Sequence, residues 1–407
     1  MLKIKSRLSH TISLEKIKSS LQQFLARQDI GFTKLPQNLK ALEDSKKIAK
    51  ILENFDHVVV IGIGGSSMGP RALAEISNSS RISFLDNVDS LETEKIIRAQ
   101  KDLRRTAWLA ISKSGTTIEV LWTLELVDQV YQSSGISLWP QTFFITEETS
   151  NPLHQLAQKH QRPCLYIPLD VGGRFSVLSP VGLLIAEYLG LDSQKLLVGA
   201  AKALDSTEQV VECVGQYLAS FERQEDITLF WLYNSNMRWF GCWLQQLWAE
   251  SLGKKTKIDG TPAPRFSTPM ISIGTCDQHS IMQQVVDGPK NKFVNIFRFN
   301  DVETSRYQIQ ATNYSETKLL EGLNFGDLIK AEAIATEKAF RQSGVSTVLF
   351  EMSQLDTENL GFLFMFYQLI VATIGEHEGI NAFDQPGVAL TKKLTLDYLK
   401  GLQPTAQ

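Results

Sequence analysis

Ile111-Ser112-Lys113-Ser114-Gly115-Thr116-Thr117 gathers hydroxyls and a lysine around one glycine, between the apolar run Ala107 to Ala110 and an amphipathic stretch that opens at Ile118. Read as a strand turning into a helix, it brings backbone N–H groups and the positive end of a helix dipole to one point, a place suited to a dianion. The plainer reading is a Ser/Thr-rich helix cap. Acid–base chemistry is offered further on, where Gln246 and Glu250 stand four apart near the end of an aromatic helix that begins near Met237, and so share a face. Trp239, Trp243 and Trp248 surround that carboxylate in the sequence, and desolvation by them would raise its pKa toward the range of a general base. Arg174 follows Gly172 and Gly173, which can bend the backbone to aim the guanidinium inward. His279 lies in Asp277-Gln278-His279-Ser280, ahead of a helix expected from Ile281 to Val286. Lys392 lies one turn into a last helix launched by Phe383-Asp384-Gln385-Pro386-Gly387-Val388. Taken singly, these are a solvated carboxylate, a surface ion pair, a structural histidine and a solvated lysine.

The turn Gly62-Ile63-Gly64-Gly65-Ser66-Ser67-Met68-Gly69-Pro70 closes one apolar run and opens a helix. Its glycines let a ligand approach the backbone. A dinucleotide site is the lesser reading, because the turn departs from G-x-G-x-x-G and Leu85-Asp86-Asn87 is a weak acidic end to the next strand. In an open parallel sheet, ligands gather at the carboxyl ends of the strands, so this turn and the Ser112 to Thr117 turn can face one crevice.

The elements that must position these groups alternate. Residues up to about Phe55 read as helical, with a capped start at Ile12-Ser13-Leu14-Glu15 and a break at Pro36. Five short apolar runs follow, Val58 to Ile63, Ile82 to Leu85, Thr106 to Ile111, Thr142 to Ile145 and Cys164 to Ile167, with amphipathic segments between them. A second series runs Ile227 to Tyr233, Met270 to Ile273, Phe293 to Phe297 and Val345 to Phe350. The pattern predicts an α/β protein of two tandem doubly wound parallel-sheet domains with helical N- and C-terminal extensions. The expected boundaries are residues 1-55 for the N-terminal helices, 56-204 and 205-380 for the two sheet domains, and 381-407 for a terminal turn and helix.

With 407 residues, 43% hydrophobic and 21% charged, the chain can bury large cores. A net charge of -3 with no basic block gives no footprint for nucleic acid. Cys164, Cys213, Cys242 and Cys276 form no C-x-x-C pair, which fits reduced thiols in a cytoplasmic protein. No secretory signal opens the sequence. Leu360 to Ile374 is too short for a membrane span and reads as a buried helix. Glu376-His377-Glu378 has the composition of a metal site, but neighbours on a helix diverge and no second histidine motif supports it, so no metal is expected.

Taken together and in order, GIGGSSMGP at 62 to 70, SKSGTT at 112 to 117, GGRFS at 172 to 176, QLWAES ending at Ser251, QHS at 278 to 280 and FDQPGV at 383 to 388 resemble the phosphoglucose (glucose-6-phosphate) isomerase family in its compact bacterial form. The resemblance implies two sugar-isomerase (SIS) domains, no cofactor, and interconversion of glucose 6-phosphate and fructose 6-phosphate through ring opening and a cis-enediolate, in glycolysis and gluconeogenesis. It implies phosphate held by Ser112, Ser114 and Thr117, with the backbone at Lys113 nearby and Gly65 and Ser66 lining the site. It makes Glu250 the base between C2 and C1 and Arg174 the cation beside the enediolate. It gives His279 and Lys392 to ring opening and Gln246 and Gln385 to the pocket wall, and it implies a homodimer in which His279 completes the partner's site. Ala389 departs from the glutamate common in the family.

The chemistry agrees with the residues. Aldose–ketose isomerisation needs a carboxylate base, a cation or donors for the developing oxyanion, and groups that open the ring. A noncatalytic SIS-type sugar-phosphate sensor would need the hydroxyl cradle but not Glu250, Arg174, His279 and Lys392 together. An isomerase that also accepts mannose 6-phosphate would share every motif.

Overall fold

The computed structural model describes residues 2–6, 12–301 and 308–402, and of Ser6, Asp301 and Ala389 only the backbone. The strands are β1 (Lys3–Ser6), β2 (His57–Ile61), β3 (Ile82–Leu85), β4 (Thr106–Ile111), β5 (Thr142–Thr146), β6 (Cys164–Tyr166), β7 (Ile227–Leu232), β8 (Thr268–Ile273), β9 (Lys292–Asp301) and β10 (Ser346–Gln354). Through the first half run helices α1 (Leu14–Ala26), α2 (Leu39–Leu52), α3 (Met68–Ser77), α4 (Ser90–Arg98), α5 (Ile118–Ser133), α6 (Pro152–Lys159) and α7 (Pro180–Tyr188). The second half adds α8 (Ser193–Asp205), α9 (Thr207–Glu222), α10 (Arg238–Leu252), α11 (Met282–Val286), α12 (Phe325–Gln342), α13 (Thr357–Glu378) and α14 (Gly387–Leu402).

The first sheet has the order β3-β2-β4-β5-β6 and is parallel throughout. Its strands are apolar on both faces because helices cover both. Along β2, Val58 and Val60 join the core shared with α2 and α7, while Val59 and Ile61 join Val120 and Leu124 of α5 and Leu153 of α6. This alternation is why the strands read as continuous apolar runs.

The second sheet, β1-β10-β9-β7-β8, is parallel except at one edge. There β1 pairs antiparallel with β10, Lys3 opposite Glu351 and Lys5 opposite Leu349. This corrects the expectation that the first residues are helical. Four residues with two lysines carry no readable period, and the strand is held from outside itself, by ladder bonds to β10 and by Lys5 Nζ 3.2 Å from a Glu351 carboxylate oxygen. The second sheet also divides its residues, Leu229 and Trp231 facing α12, Phe230 and Leu232 facing α10 and α13.

Helix α13 is buried on all sides over most of its length. At 22 residues it is longer than the apolar run marked in the sequence, and long and apolar enough to cross a membrane, yet 89% of its most apolar window is buried inside the protein. The sequence between the sheets continues the same core, in which Leu196 and Ala200 of α8 pack with Leu360 and Leu363 of α13. At its far end Glu376 pairs with Arg27 at 3.2 Å and His377 Nδ1 lies 3.2 Å from Ser20 Oγ, so the two side chains turn to different partners.

Candidate active site

The site is built at the carboxyl ends of adjacent strands, β2 and β4, in register Ile61 to Ala110. After β4 the chain turns through Ser112 to Thr117 into α5. Ser112, only 3% exposed, has its hydroxyl 2.7 Å from that of Thr117, the N-cap residue of α5. Thr116 Oγ1 donates to Ser114 Oγ at 3.0 Å. Gly115 takes φ +64°, and a β-carbon there would lie 1.8 Å from the side-chain oxygen of Asn151. Only glycine fits such a turn. Asn151 is itself buried and caps α6 through His154 N at 2.9 Å, so the hydroxyl turn rests on a fixed backing. The Lys113 ammonium turns aside, to Glu147 at 3.1 Å and the Leu169 carbonyl at 3.1 Å, leaving its backbone as the part at the turn.

After β2 the glycine turn leads into α3. Gly65 lies against the Gly173 carbonyl so closely that a β-carbon would be 2.2 Å from it. A β-carbon on Gly64 would lie 2.9 Å from Gln246 Nε2. The glycine turn is therefore wedged between the loop that carries Arg174 and the helix that carries Glu250, and half-buried Ser66 follows it.

Arg174 is 2% exposed, and its charge is tolerated because each of its N–H groups has an acceptor. Nε donates to Ser251 Oγ at 2.8 Å; Nη1 donates to Glu250 Oε2 at 3.2 Å and to Gln385 Oε1 at 2.9 Å; Nη2 donates to the carbonyls of Ala382 at 2.5 Å and Asp384 at 3.1 Å. Burial pulls its pKa below the ordinary arginine value, with Glu250 opposing, and the guanidinium stays protonated. The Arg174 carbonyl is held in turn by Trp243 Nε1 at 3.2 Å. Glu250, whose side chain is 32% exposed, receives Gln246 Nε2 on its other oxygen at 3.0 Å, and Gln246 Oε1 is buried without a partner.

The tryptophans do not wall off Glu250 as expected. Trp239 stacks on Arg71, its ring 4.2 Å from the guanidinium carbon, Trp243 serves the Arg174 backbone, and Trp248 packs into Tyr217 and Phe230. The side chains that hold the Glu250 carboxylate are polar, Gln246 on the same helix and the buried Arg174 cation.

Glu250, Arg174, Gln246 and Gln385 thus form one bonded cluster, with Gly65 and Ser66 against it and the Ser112 to Thr117 turn on the next strand. His279 and Lys392 stand apart. His279 is exposed at the end of the turn Cys276–His279, where the neighbouring Gln278 bonds Tyr233 Oη at 2.7 Å. Lys392 is exposed on α14. Among the described residues neither makes a hydrogen bond or ion pair with the cluster. Ser251, Lys254 and Asn151, which support the cluster and the turn, were not singled out in the sequence; the one available signal was Lys254 four residues after Glu250. A hollow of about 570 Å³ between α2 and β6, bordered by Lys40, Asp44, Lys47 and Tyr166, contains none of the site residues.

A pair of SIS-type α/β sheets with a carboxylate held by a buried arginine and a hydroxyl-rich turn at the strand ends defines a sugar-phosphate isomerase. Residues 32–407 match the family model described as phosphoglucose isomerase. The glucose-6-phosphate isomerase of Campylobacter jejuni subsp. jejuni is 31% identical over 401 residues, covering 96% of each chain. Among solved structures, a hypothetical protein of Thermus thermophilus superposes with a TM-score of 0.90 at 29% identity, covering 98% of this chain and 100% of that one. A glucose-6-phosphate isomerase from Chlamydia trachomatis shares the fold, with a TM-score of 0.83 at 22% identity over 99% of this chain and 89% of that one. The chain belongs to the phosphoglucose isomerase family.

Proposed function

We propose that the protein interconverts glucose 6-phosphate and fructose 6-phosphate, with Glu250 carrying the proton between C2 and C1. The observation that carries this reading is the Arg174 Nη1 to Glu250 Oε2 contact of 3.2 Å, made by an arginine whose other N–H groups are all committed. Such a cation is fixed before substrate arrives, so it can face the oxygen where charge develops without reorganising. Glu250 takes the C2 proton of the open-chain aldose and becomes the acid; the electrons form the enediolate, whose negative oxygen faces Arg174. The O2 hydroxyl proton passes to O1, Glu250 returns its proton to C1, and the carbonyl is left at C2.

Ser112, Ser114 and Thr117, with the backbone at Lys113 and the lining of Gly65 and Ser66, hold the phosphate, and this remote binding orients a small flexible sugar. Gln246 and Gln385, bonded to Glu250 and Arg174, line the pocket wall. His279 and Lys392 open the ring. Lys392 belongs to the site's own chain, whereas the exposure of His279 on a separate turn, together with exposed Leu394, Tyr398 and Leu402 at four-residue spacing on α14, supports a homodimer in which His279 completes the partner's site. The domain division at residues 55, 204 and 380 and a cytoplasmic location belong to the same reading, supported by the two sheets and the free cysteines. An assay coupled to product detection, run with glucose 6-phosphate and with mannose 6-phosphate, tests it: turnover of the first is expected, and turnover of neither would leave a sugar-phosphate sensor.

A further inference from the structure

Two residues past the end of α10, Lys254 is enclosed, its side chain only 6% exposed. A lysine ammonium is strongly hydrated in water, so enclosing it requires oxygen partners. Here Nζ lies 2.8 Å from the Glu250 carbonyl and 3.0 Å from Asp384 Oδ1, and it also donates to the Asp384 carbonyl. Arg174 Nη2 donates to that same Asp384 carbonyl at 3.1 Å. Two cations therefore converge on one backbone oxygen, and the residue that follows it, Gln385, receives the Arg174 Nη1 that also holds Glu250.

We infer that Lys254 is a positioning residue for the isomerase reaction, its ammonium tying the Asp384 carbonyl to the end of the Glu250 helix and so fixing the Arg174 fork against Glu250 and Gln385. The inference rests on the roles proposed above for Glu250 and Arg174. The Phe383 ring is packed against Phe24, Phe32 and Phe175, but without Lys254 the Asp384 carbonyl keeps only the Arg174 hydrogen bond among the described residues, and the same guanidinium must both restrain that carbonyl and face the reacting oxygen. A small displacement of such a group slows the chemical step more than it weakens ground-state binding.

The charged groups facing Lys254 are Glu250 from α10, Arg174 from the turn Gly173–Leu178, and Asp384 from the closing loop. Burial draws its pKa below the ordinary lysine value, Asp384 opposes this, and Arg174 adds to it. Loss of the proton removes the charge that faces the Asp384 carboxylate, so the clamp loosens at a pH below that at which exposed lysines titrate, about 10.4.

The test uses the full-length wild type, Lys254→Arg and Lys254→Met, with kcat and KM measured on glucose 6-phosphate from neutral to alkaline pH and folding followed by thermal unfolding. In Lys254→Met kcat is expected to fall roughly ten- to hundredfold with KM little changed. Lys254→Arg is expected to restore most of that loss at neutral pH and to move the alkaline limb upward, because a guanidinium does not deprotonate there. A folded Lys254→Met with wild-type kcat, or a Lys254→Arg with the wild-type alkaline limb, overturns the inference; if Lys254→Met does not fold, the limb alone decides. A wild type inactive on the sugar defeats the isomerase reading itself, whereas active wild type with indistinguishable variants defeats only the role of Lys254.

Discussion

Glu250 is held from both sides, Arg174 Nη1 reaching one carboxylate oxygen at 3.2 Å and Gln246 Nε2 the other at 3.0 Å. The first donor is fixed by four further hydrogen bonds, and the second sits half-buried on α10 against the glycine turn. A base oriented this way loses little entropy when substrate arrives. Glu250→Gln preserves size while removing the base, so turnover should fall by about two to four decades with binding largely kept. Steady-state kinetics with solvent-deuterium incorporation check this, and incorporation at the wild-type rate would reject the role.

The Ser112 and Thr117 hydroxyls, 2.7 Å apart, satisfy one another in the protein and can both turn to a phosphate. Hydrogen bonds to a charged group contribute about 1.5–3 kcal/mol each, so the double variant Ser112→Ala with Thr117→Ala, which removes two, should weaken fructose 6-phosphate binding by roughly a hundredfold or more. Calorimetric titration measures it, and unchanged affinity would remove the phosphate from this turn.

Gly65 tests the wedge between the loops. The atom that a β-carbon would strike is the Gly173 carbonyl at 2.2 Å, which is backbone and cannot swing away. Gly65→Ala should therefore destabilise by about 1–3 kcal/mol, the usual range for overpacking, and should also lower turnover by displacing the Arg174 loop. Thermal unfolding together with kinetics separates the effects; a variant with normal stability and rate would show that the two loops are free to part.

The acid limb of stability has a named contributor in Glu351, whose side chain is 7% exposed. Burial by itself would raise its pKa, but hydrogen bonds from Arg298 and Lys5 dominate and hold it down at about 2. The unfolded value is about 4.3, so the carboxylate stabilises the fold above that pH and the contribution is lost as pH falls toward 2. Glu351→Gln should cost roughly 3 kcal/mol at neutral pH, as breaking a buried pair does, and the difference from wild type should shrink through this acid window. Denaturant titrations at neutral pH and near pH 3 check it; a pH-independent difference would mean that packing, not charge, is responsible.

Much of this was legible in the sequence because it was local. Strands buried on both faces wrote themselves as apolar runs, and the four-residue spacing of Gln246 and Glu250 gave their shared face. What was not legible depends on partners far along the chain. β1 is a strand because β10 lies beside it, and the pairs Lys3 with Glu351, Ile4 with Phe350 and Lys5 with Leu349 join opposite ends of the sequence. Lys254 looks like any solvated lysine until the Asp384 carbonyl is brought to it. The tryptophans near Glu250 were misjudged for a related reason: helical phase places them, but only the packing of Tyr217, Phe230 and Arg71 decides where their rings go.

Assembly gives the last test, because His279 is exposed on its own turn while Glu250 and Arg174 are joined within one chain. In a homodimer with shared sites, one pocket combines the Glu250 of one subunit with the His279 of the other. Glu250→Gln and His279→Ala chains are each inactive alone, since every pocket in either homodimer has one group missing. A hybrid has one pocket with both losses and one with neither. Random exchange of equal amounts makes half the dimers hybrid, so about a quarter of wild-type activity should return if the dimer is a symmetric closed pair. Native mass spectrometry establishes that hybrids have formed, and the isomerase assay is run on the same sample. Hybrids without recovery would mean that each chain supplies its own histidine, and that His279 must then move to the cluster within a single subunit.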